Sequence, residues 1–433
     1  MAASEGLATP TLAGLRVLDL TQFLAGPYAT MIFADLGAEV VKLEAPVGDW
    51  SRILPPNFVG DDSCYYLSIN RNKKSIVVDM KSPDGLEIVK RLADESDILV
   101  ENFRPGVLDR LGLTYENLSD RNPGLIWASI SGFGQTGADR DRPAYDMIVQ
   151  AISGGMSMTG EPGRSAVRSG IPLGDLSAGM YAVIGALAAL EERRRSGKGQ
   201  YIDVSMLDCQ VSMLCYQAGY YLHSGNNPDR QGWGHDSIPT YRGFNCASGS
   251  SLVITANTER MWQGLCDVLG IADMKEDARF TLNEDRYANR EELWPILEGA
   301  FMKHTADYWV PKLLEAGIPV GEINNLEKAL SNPQVLARDM VLELSNDEGA
   351  EIRVAGNPVK MSRTPMETHT YPPKLGGETA DILADVLGAD GEEIARLIET
   401  GAVYEYTPKK AKGDRDGRRT ATGPRRRNCA NHD

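Results

Sequence analysis

Leu15–Glu44 reads LRVLDLTQFLAGPYATMIFADLGAEVVKLE. Leu15–Leu20 is a short apolar run with the character of a strand, and Glu39–Glu44 is a second. Between them, Pro27 suits the first turn of a helix and Gly37 suits its end. Strand, helix, strand is the unit that builds a parallel sheet, because parallel neighbours need a crossover long enough to bring the chain back to the same edge.

The alternation continues outward from this unit. Ser75–Met80 (SIVVDM) reads as a strand, and Ser82 with Pro83 opens the helix PDGLEIVKRLADES. DILVENF gives the next strand, and Leu125–Ser131 and Tyr201–Leu207 give two more. Short helices are expected around Val107–Leu111 and Tyr115–Asn122. The expected class is therefore α/β, a doubly wound and mostly parallel sheet with helices on both faces. Such sheets bind ligands at the C-terminal ends of their strands. Those ends point to three loops, at 21–26, 101–104 and 131–134.

A second stretch, Gly170–Leu190 (GIPLGDLSAGMYAVIGALAAL), is small and apolar at almost every position from Met180, as in a helix buried all round. It ends at Arg193, Arg194 and Arg195, which suit the negative end of a helix, and at Gly197, which suits a C-cap. Asp175 then stands at or just before the helix start. Two readings stay open: an N-cap, or an active-site carboxylate that backbone N–H groups and the helix dipole keep ionised.

The chain has 433 residues, 42% hydrophobic and 24% charged, which leaves room for two domains. A net charge of −15 argues against nucleic acid or an anionic membrane as partner. The exception is Lys409–Asp433, with nine Lys or Arg against three Asp, a net of +6 that leaves the body near −21. Almost devoid of apolar residues, this tail is expected to be disordered. Six cysteines without a C-x-x-C pair read as reduced thiols. The N-terminus lacks the build of a signal peptide, and no run approaches ~18 apolar residues, so the expected location is cytoplasmic. About 225–330 changes character, with helices near Met261–Leu269, Asn289–Met302 and Ala306–Ala316, and is expected to form a smaller second domain. Terminal helices are expected at Thr379–Leu387 and Glu392–Glu399.

Gly132–Gly137 (GFGQTG) matches G-x-G-x-x-G, but ADRDRPAYD follows it where a helix should open, which argues against a nicotinamide site. Five histidines show no metal spacing, so no metal is expected, and only His235, in a glycine-rich loop, stands out. A carboxylate is left as candidate nucleophile. Ionised at neutral pH, it needs no activating base, and it is useful against a high-energy electrophile such as a thioester. Acyl transfer through an aspartyl anhydride would regenerate the starting carboxylate, with backbone N–H groups holding the oxyanion.

At this point the motifs DLTQFLAGPYATMIFADLGAEVVKLE, YYLSINRNKKSIVVDMKSPDG, VENFRPGVLDRLGL, SISGFGQTG, GDLSAGMYA and GKGQYIDVSML resemble the family III coenzyme A transferases (the CaiB/BaiF family). The likeness runs on through NREEL, AGIPVGEINNL, NPQVLARDMV and GNPVKMSRTP, and covers about residues 12–405. It implies a large Rossmann-like domain built from both chain ends (1–224 and 331–408), a small α+β domain (225–330), and a homodimer whose chains interlock like links, with 409–433 as a basic tail outside.

The family's nucleophile lies in G-D-x-x-x-G, which falls on Gly174, Asp175 and Gly179. By resemblance Asp175 attacks an acyl-CoA, and coenzyme A is a substrate rather than a tightly bound cofactor. The contacts implied for it are Gln22, Phe23, Leu24, Ala25, Asn102 and Phe103, with the cations Arg71, Lys74, Arg104 and Arg110; Tyr145, Asp146 and Gly174 are implied beside the substrate. Some relatives carry an arginine after the K-x-E strand end; Ala45 stands there, so a contact is expected from elsewhere, with Arg52 the candidate. An α-methylacyl-CoA racemase is the alternative, but its G-H-D motif is Ala144-Tyr145-Asp146 here, and a tyrosine with a pKa near ~10 is a poor base. A silent coenzyme A-binding protein is another, with Asp175 only a cap. YYLSINRNKKSI is similar to members that move coenzyme A between dicarboxylic acids with succinyl-CoA as donor. Arg142, Arg164 and Arg168 are the candidates to hold a second carboxylate.

Overall fold

Strand β1 (Arg16–Asp19) lies at the centre of a seven-stranded sheet. The fold is that of a computed structural model, which describes residues 9–366 and 369–406; the expected basic tail 409–433 lies outside the described residues. From β1 the chain passes through α1 (Ala25–Asp35) to β2 (Glu39–Glu44) and on to β3 (Lys73–Val78). It then returns through α2 (Pro83–Asp94) to β4 (Ile98–Glu101), on the other side of β1, and steps outward to β5 (Ile126–Ser131). Helices α3 (Asp146–Ile152) and α4 (Leu173–Ser196) precede the edge strand β6 (Tyr201–Ser205), and α5 (Met206–Met213) follows it. A final strand, β7 (Val403–Tyr404), pairs antiparallel with β3 at the opposite edge. The order is β7-β3-β2-β1-β4-β5-β6, and every pair but the first is parallel.

Alternation along the strands sets two layers of core. Val17, Val40 and Ile98 face α1 and α4, while Leu18, Val41 and Leu99 face α2 and the terminal helix Thr379–Leu387. Each fully buried aliphatic side chain contributes roughly 1.5–3 kcal/mol. The helix boundaries follow local chemistry: Ser82 accepts the Gly85 amide ahead of Pro83, and Gly197 closes α4 at φ 72°.

A separate core gathers Phe244, Trp262, Phe280 and Phe301 around a three-stranded antiparallel sheet of Arg242–Asn245, Ser251–Ile254 and Val320–Glu322. A hairpin of Val341–Ser345 and Glu351–Ala355 then packs near Tyr66 and Leu67 before the chain rejoins the large sheet.

One expectation is overturned here. Helix α4 is not buried all round: Met180, Tyr181, Ile184 and Leu187 are exposed, Ile184 to 59%. The small residues Ala178, Ala182 and Ala186 make its inner face against α1 and the sheet. By length and composition alone α4 could cross a membrane, but half of its apolar window is buried within the protein.

Candidate active site

Because β2 and β4 leave β1 on opposite sides, the chain diverges at the C-terminal ends of β1 and β4, where doubly wound sheets form their binding crevice. The two loops are tied across it. The Gln22 amide donates to Asn102 Oδ1 at 2.9 Å, and Asn102 Nδ2 returns a bond to the Gln22 carbonyl at 2.8 Å. The next residue, Phe23, has φ 63°, a conformation that costs a bulky residue about 1–3 kcal/mol. Its amide donates to Asp49 Oδ1 at 3.2 Å, and its ring meets that of Tyr145 edge-on at 6.0 Å.

Asp175 comes to this crevice on the first turn of α4. It is the third residue of the helix, and its side chain caps nothing. The cap is supplied from α3, where Asp146 Oδ1 accepts the Gly174 amide at 2.8 Å and Asp146 Oδ2 accepts from Gln150 Nε2 at 2.8 Å. Both glycines of the motif are spaces. A Cβ on Gly174 would lie 2.7 Å from Gln210 Nε2 and 3.1 Å from Asp146 Oδ1, and one on Gly179 would lie 2.6 Å from the Ala25 carbonyl oxygen. Gly179 thus sets how closely α1 and α4 cross, which fixes Asp175 relative to the Phe23 loop.

Among the described residues, no hydrogen-bond donor or ion pair holds the Asp175 carboxylate. Burial, followed by the like charge of Asp146, pushes it up to about 7. The direction is opposite to the expectation that the helix start keeps it ionised, and burial is the main cause. The Asp175 carboxylate is thus buried and without a hydrogen-bond partner among the described residues.

Asp175 opens into a cleft of about 220 Å³ whose walls include Phe23, Leu24 and Ala25 from the first loop, Asn102, Phe103 and Arg104 from the second, and Tyr145. Tyr145 is 64% exposed. Liners not singled out in the sequence include Tyr65, Arg140 and Met206. Burial, aided by the charges of Asp175, Asp49 and Asp146, pushes the Tyr65 phenol well above its ordinary value, so it stays a neutral donor. Arg140 and Arg142 project from the segment after β5. Arg140 Nε donates to the Gln135 carbonyl at 2.9 Å, and the Arg142 guanidinium lies 5.3 Å from the Phe133 ring centroid.

Several expected site residues lie elsewhere. Arg71 is 1% exposed and forms a bidentate pair with Asp35, at 2.8 and 2.6 Å, so it cannot reach a ligand. Lys74 sits near the start of β3, opposite Val41, and pairs with Glu39 at 2.7 Å; that is the N-terminal end of the sheet, away from the crevice. Arg52, the candidate substitute beside Ala45, is committed to Glu44 at 2.7 Å, to Asp62 at 2.9 Å and to the Tyr66 hydroxyl. Asp146 and Gly174 stand behind Asp175 and bond to each other instead of lining the cleft. Gln22 offers its backbone to Asn102. Arg110 is exposed beyond Gly106, outside the cleft lining, as are Arg164 and Arg168. His235 stacks on Tyr241 at 5.5 Å, and among the described residues no group of three or more His, Cys, Asp or Glu is placed to hold a metal.

The sequence profile of CoA-transferase family III matches residues 12–379. Succinyl-CoA:glutarate CoA-transferase of Homo sapiens is 39% identical over 396 residues, which span 91% of this chain and 90% of the relative. Succinate–glutarate CoA-transferase of Agrobacterium fabrum is 38% identical over 384 residues, spanning 87% and 96%. Among solved structures, a CaiB/BaiF family protein from Brucella suis is similar at a TM-score of 0.80 and 36% identity, covering 87% of this chain and 100% of that one.

Proposed function

Since the chain belongs to the family III CoA-transferases, we propose that it moves coenzyme A from succinyl-CoA to a second dicarboxylic acid by way of Asp175. The observation that carries this reading is the unpartnered Asp175 carboxylate opening into a cleft that Arg104, Arg140 and Arg142 also line. In the first step an Asp175 oxygen attacks the thioester carbonyl, forming a mixed anhydride and releasing the coenzyme A thiolate. The thiolate attacks the Asp175 carbonyl of that anhydride, which expels succinate and leaves an aspartyl-CoA thioester. The acceptor carboxylate attacks this thioester, giving a new anhydride and the thiolate again. Attack of the thiolate on the acceptor carbonyl yields the new acyl-CoA and returns Asp175 unchanged. Arg142 holds the remote carboxylate of the acceptor, and Tyr65, kept neutral, donates towards the developing oxyanion.

Two organisational readings accompany this one. The exposed apolar face of α4, with Tyr216 and Tyr220 exposed nearby in the chain, supports a homodimer with interlocked chains. The separate core around Trp262 supports a small domain at 225–330 between the two parts of the large one, 1–224 and 331–408. The five described cysteines are free thiols, which accords with a cytoplasmic enzyme.

The test is a screen of succinyl-CoA against mono- and dicarboxylates, with a hydroxylamine quench and peptide mapping. Turnover with dicarboxylates and a hydroxamate at Asp175 are expected, and both should vanish in Asp175→Asn. Turnover confined to monocarboxylates, or an Asp175→Asn enzyme with undiminished rate, overturns the reading.

A further inference from the structure

The loop from Thr21 to Phe23 is held by side chains from outside it at every residue. The Gln22 amide and carbonyl are taken by Asn102. On either side of Gln22 the grip comes from one buried ion pair. Lys42 Nζ donates to the Thr21 carbonyl at 2.9 Å, Asp49 Oδ1 accepts the Phe23 amide at 3.2 Å, and Lys42 Nζ lies 3.0 Å from Asp49 Oδ2. Both side chains are wholly excluded from solvent. Asp49 is itself fixed, since its amide donates to Glu44 Oε2 at 2.9 Å and its Oδ1 also accepts from the Ser51 amide at 2.8 Å.

We propose that Lys42 and Asp49 are positioning residues for coenzyme A transfer: together they lock Thr21 and the left-handed Phe23 so that the Phe23–Ala25 wall of the cleft is set before substrate arrives. Neither touches the cleft, so they act through the loop backbone. The need for a lock is local. Held only by a neutral acceptor that Lys42 no longer orients, and with the Thr21 carbonyl released, Phe23 would relax from φ 63° towards the ordinary region and swing its ring off Tyr145. A wall displaced by about 1 Å near a reacting thioester can cost a hundredfold in rate. Binding of a long acyl-CoA, shared between this wall and the Asn102–Arg104 loop opposite, should change less. The proposal rests on the transferase reading above.

The test is Lys42→Met/Asp49→Asn. Removing both charges leaves neither one unpaired in the interior, and such replacements of buried pairs are often tolerated. Asn also keeps an acceptor for the Phe23 amide, so what is lost is the charge pair and the grip on Thr21. The expected result is cooperative unfolding as in the wild type, kcat lower by about tenfold or more, and KM for succinyl-CoA within about threefold. A folded double variant with wild-type kcat overturns the proposal, and so does a raised KM at unchanged kcat. Wild-type enzyme assayed in parallel separates the two failures, because absence of transfer there overturns the transferase reading itself. A second measurement needs no variant. Amide hydrogen exchange of Gln22 and Phe23 in the free wild-type enzyme should be slow, and little changed by coenzyme A. Fast exchange that slows only on binding overturns the proposal.

Discussion

Asp146 accepts the Gly174 amide at 2.8 Å, so one carboxylate caps the helix on which another, Asp175, stands. The cap raises the energy of the ionised Asp175 carboxylate through the like charge beside it, and burial adds the larger share. A base with a pKa near the working pH combines a useful charged fraction with real nucleophilicity. In the mechanism we propose Asp175 must be charged to attack, so kcat/KM for the acyl-CoA should fall on the acid side with a midpoint near the value of about 7. Asp146→Asn keeps an oxygen for the Gly174 amide but removes the charge. It should move that midpoint to lower pH by about half a unit to one unit, read from pH–rate profiles of the two enzymes.

The same shift carries a stability signature of opposite sense to that of a salt-bridged aspartate. The pKa of Asp175 is higher folded than unfolded, so between the unfolded value of about 4 and the folded value of about 7 the native state binds the extra proton. Its contribution to stability is therefore present at low pH and lost as pH rises through 7. Asp175→Asn should raise Tm relative to wild type at pH 8 and by only about a third as much at pH 5, by calorimetry at both values.

Arg142 is the guanidinium we assign to the remote acceptor carboxylate. Arg142→Ala should raise KM for a dicarboxylate acceptor by about ten- to a hundredfold, the worth of a charge-assisted bidentate contact. KM for succinyl-CoA in hydrolysis or exchange without acceptor should shift less, which initial-rate kinetics with varied acceptor would show.

Arg71 and Lys74 separate a buried cation from an exposed one. Arg71→Met strands the buried Asp35 charge and should cost about 3–5 kcal/mol in urea unfolding. Lys74→Ala removes an exposed pair with Glu39 and should change stability by less than about 1 kcal/mol. It should leave KM for the acyl-CoA untouched, because it stands at the wrong end of β3.

Gly179→Ala tests the helix crossing. Alanine is the better helix former, but its Cβ would meet the Ala25 carbonyl at 2.6 Å and Tyr28 Cδ1 at 3.2 Å. Overpacking should win, with a loss of about 1–3 kcal/mol in denaturant unfolding. A variant as stable as wild type would show that α1 can move away freely.

The parallel sheet was legible because apolar runs, Pro27, Pro83 and the glycines at 37 and 197 punctuate the chain at the right intervals. Asp175 was legible as a candidate and misplaced in detail. An aspartate just ahead of an apolar helix looks like its own cap, and the true cap, Asp146, is distant in sequence and arrives only through packing. Arg71, Lys74 and Arg52 failed for a related reason. A cation on a strand or loop looks available until the neighbouring strands bring Asp35, Glu39 and Glu44 against it. Tyr65 was hidden beside Tyr66: on a single helical turn, Cys64–Leu67, one ring is wholly buried and the other reaches the cleft.

The pairing of β7 with β3 has a consequence for how the enzyme is made. Synthesis runs from the N-terminus, and the ladder edge at Val77 and Val78 has no partner strand until Val403 and Tyr404 leave the ribosome. Throughout that interval the nascent sheet offers a bare strand to any other chain within reach. Its last few described residues thus act as a latch: truncation ahead of Val403 would leave Asp175 in place and the molecule prone to stick to its own copies.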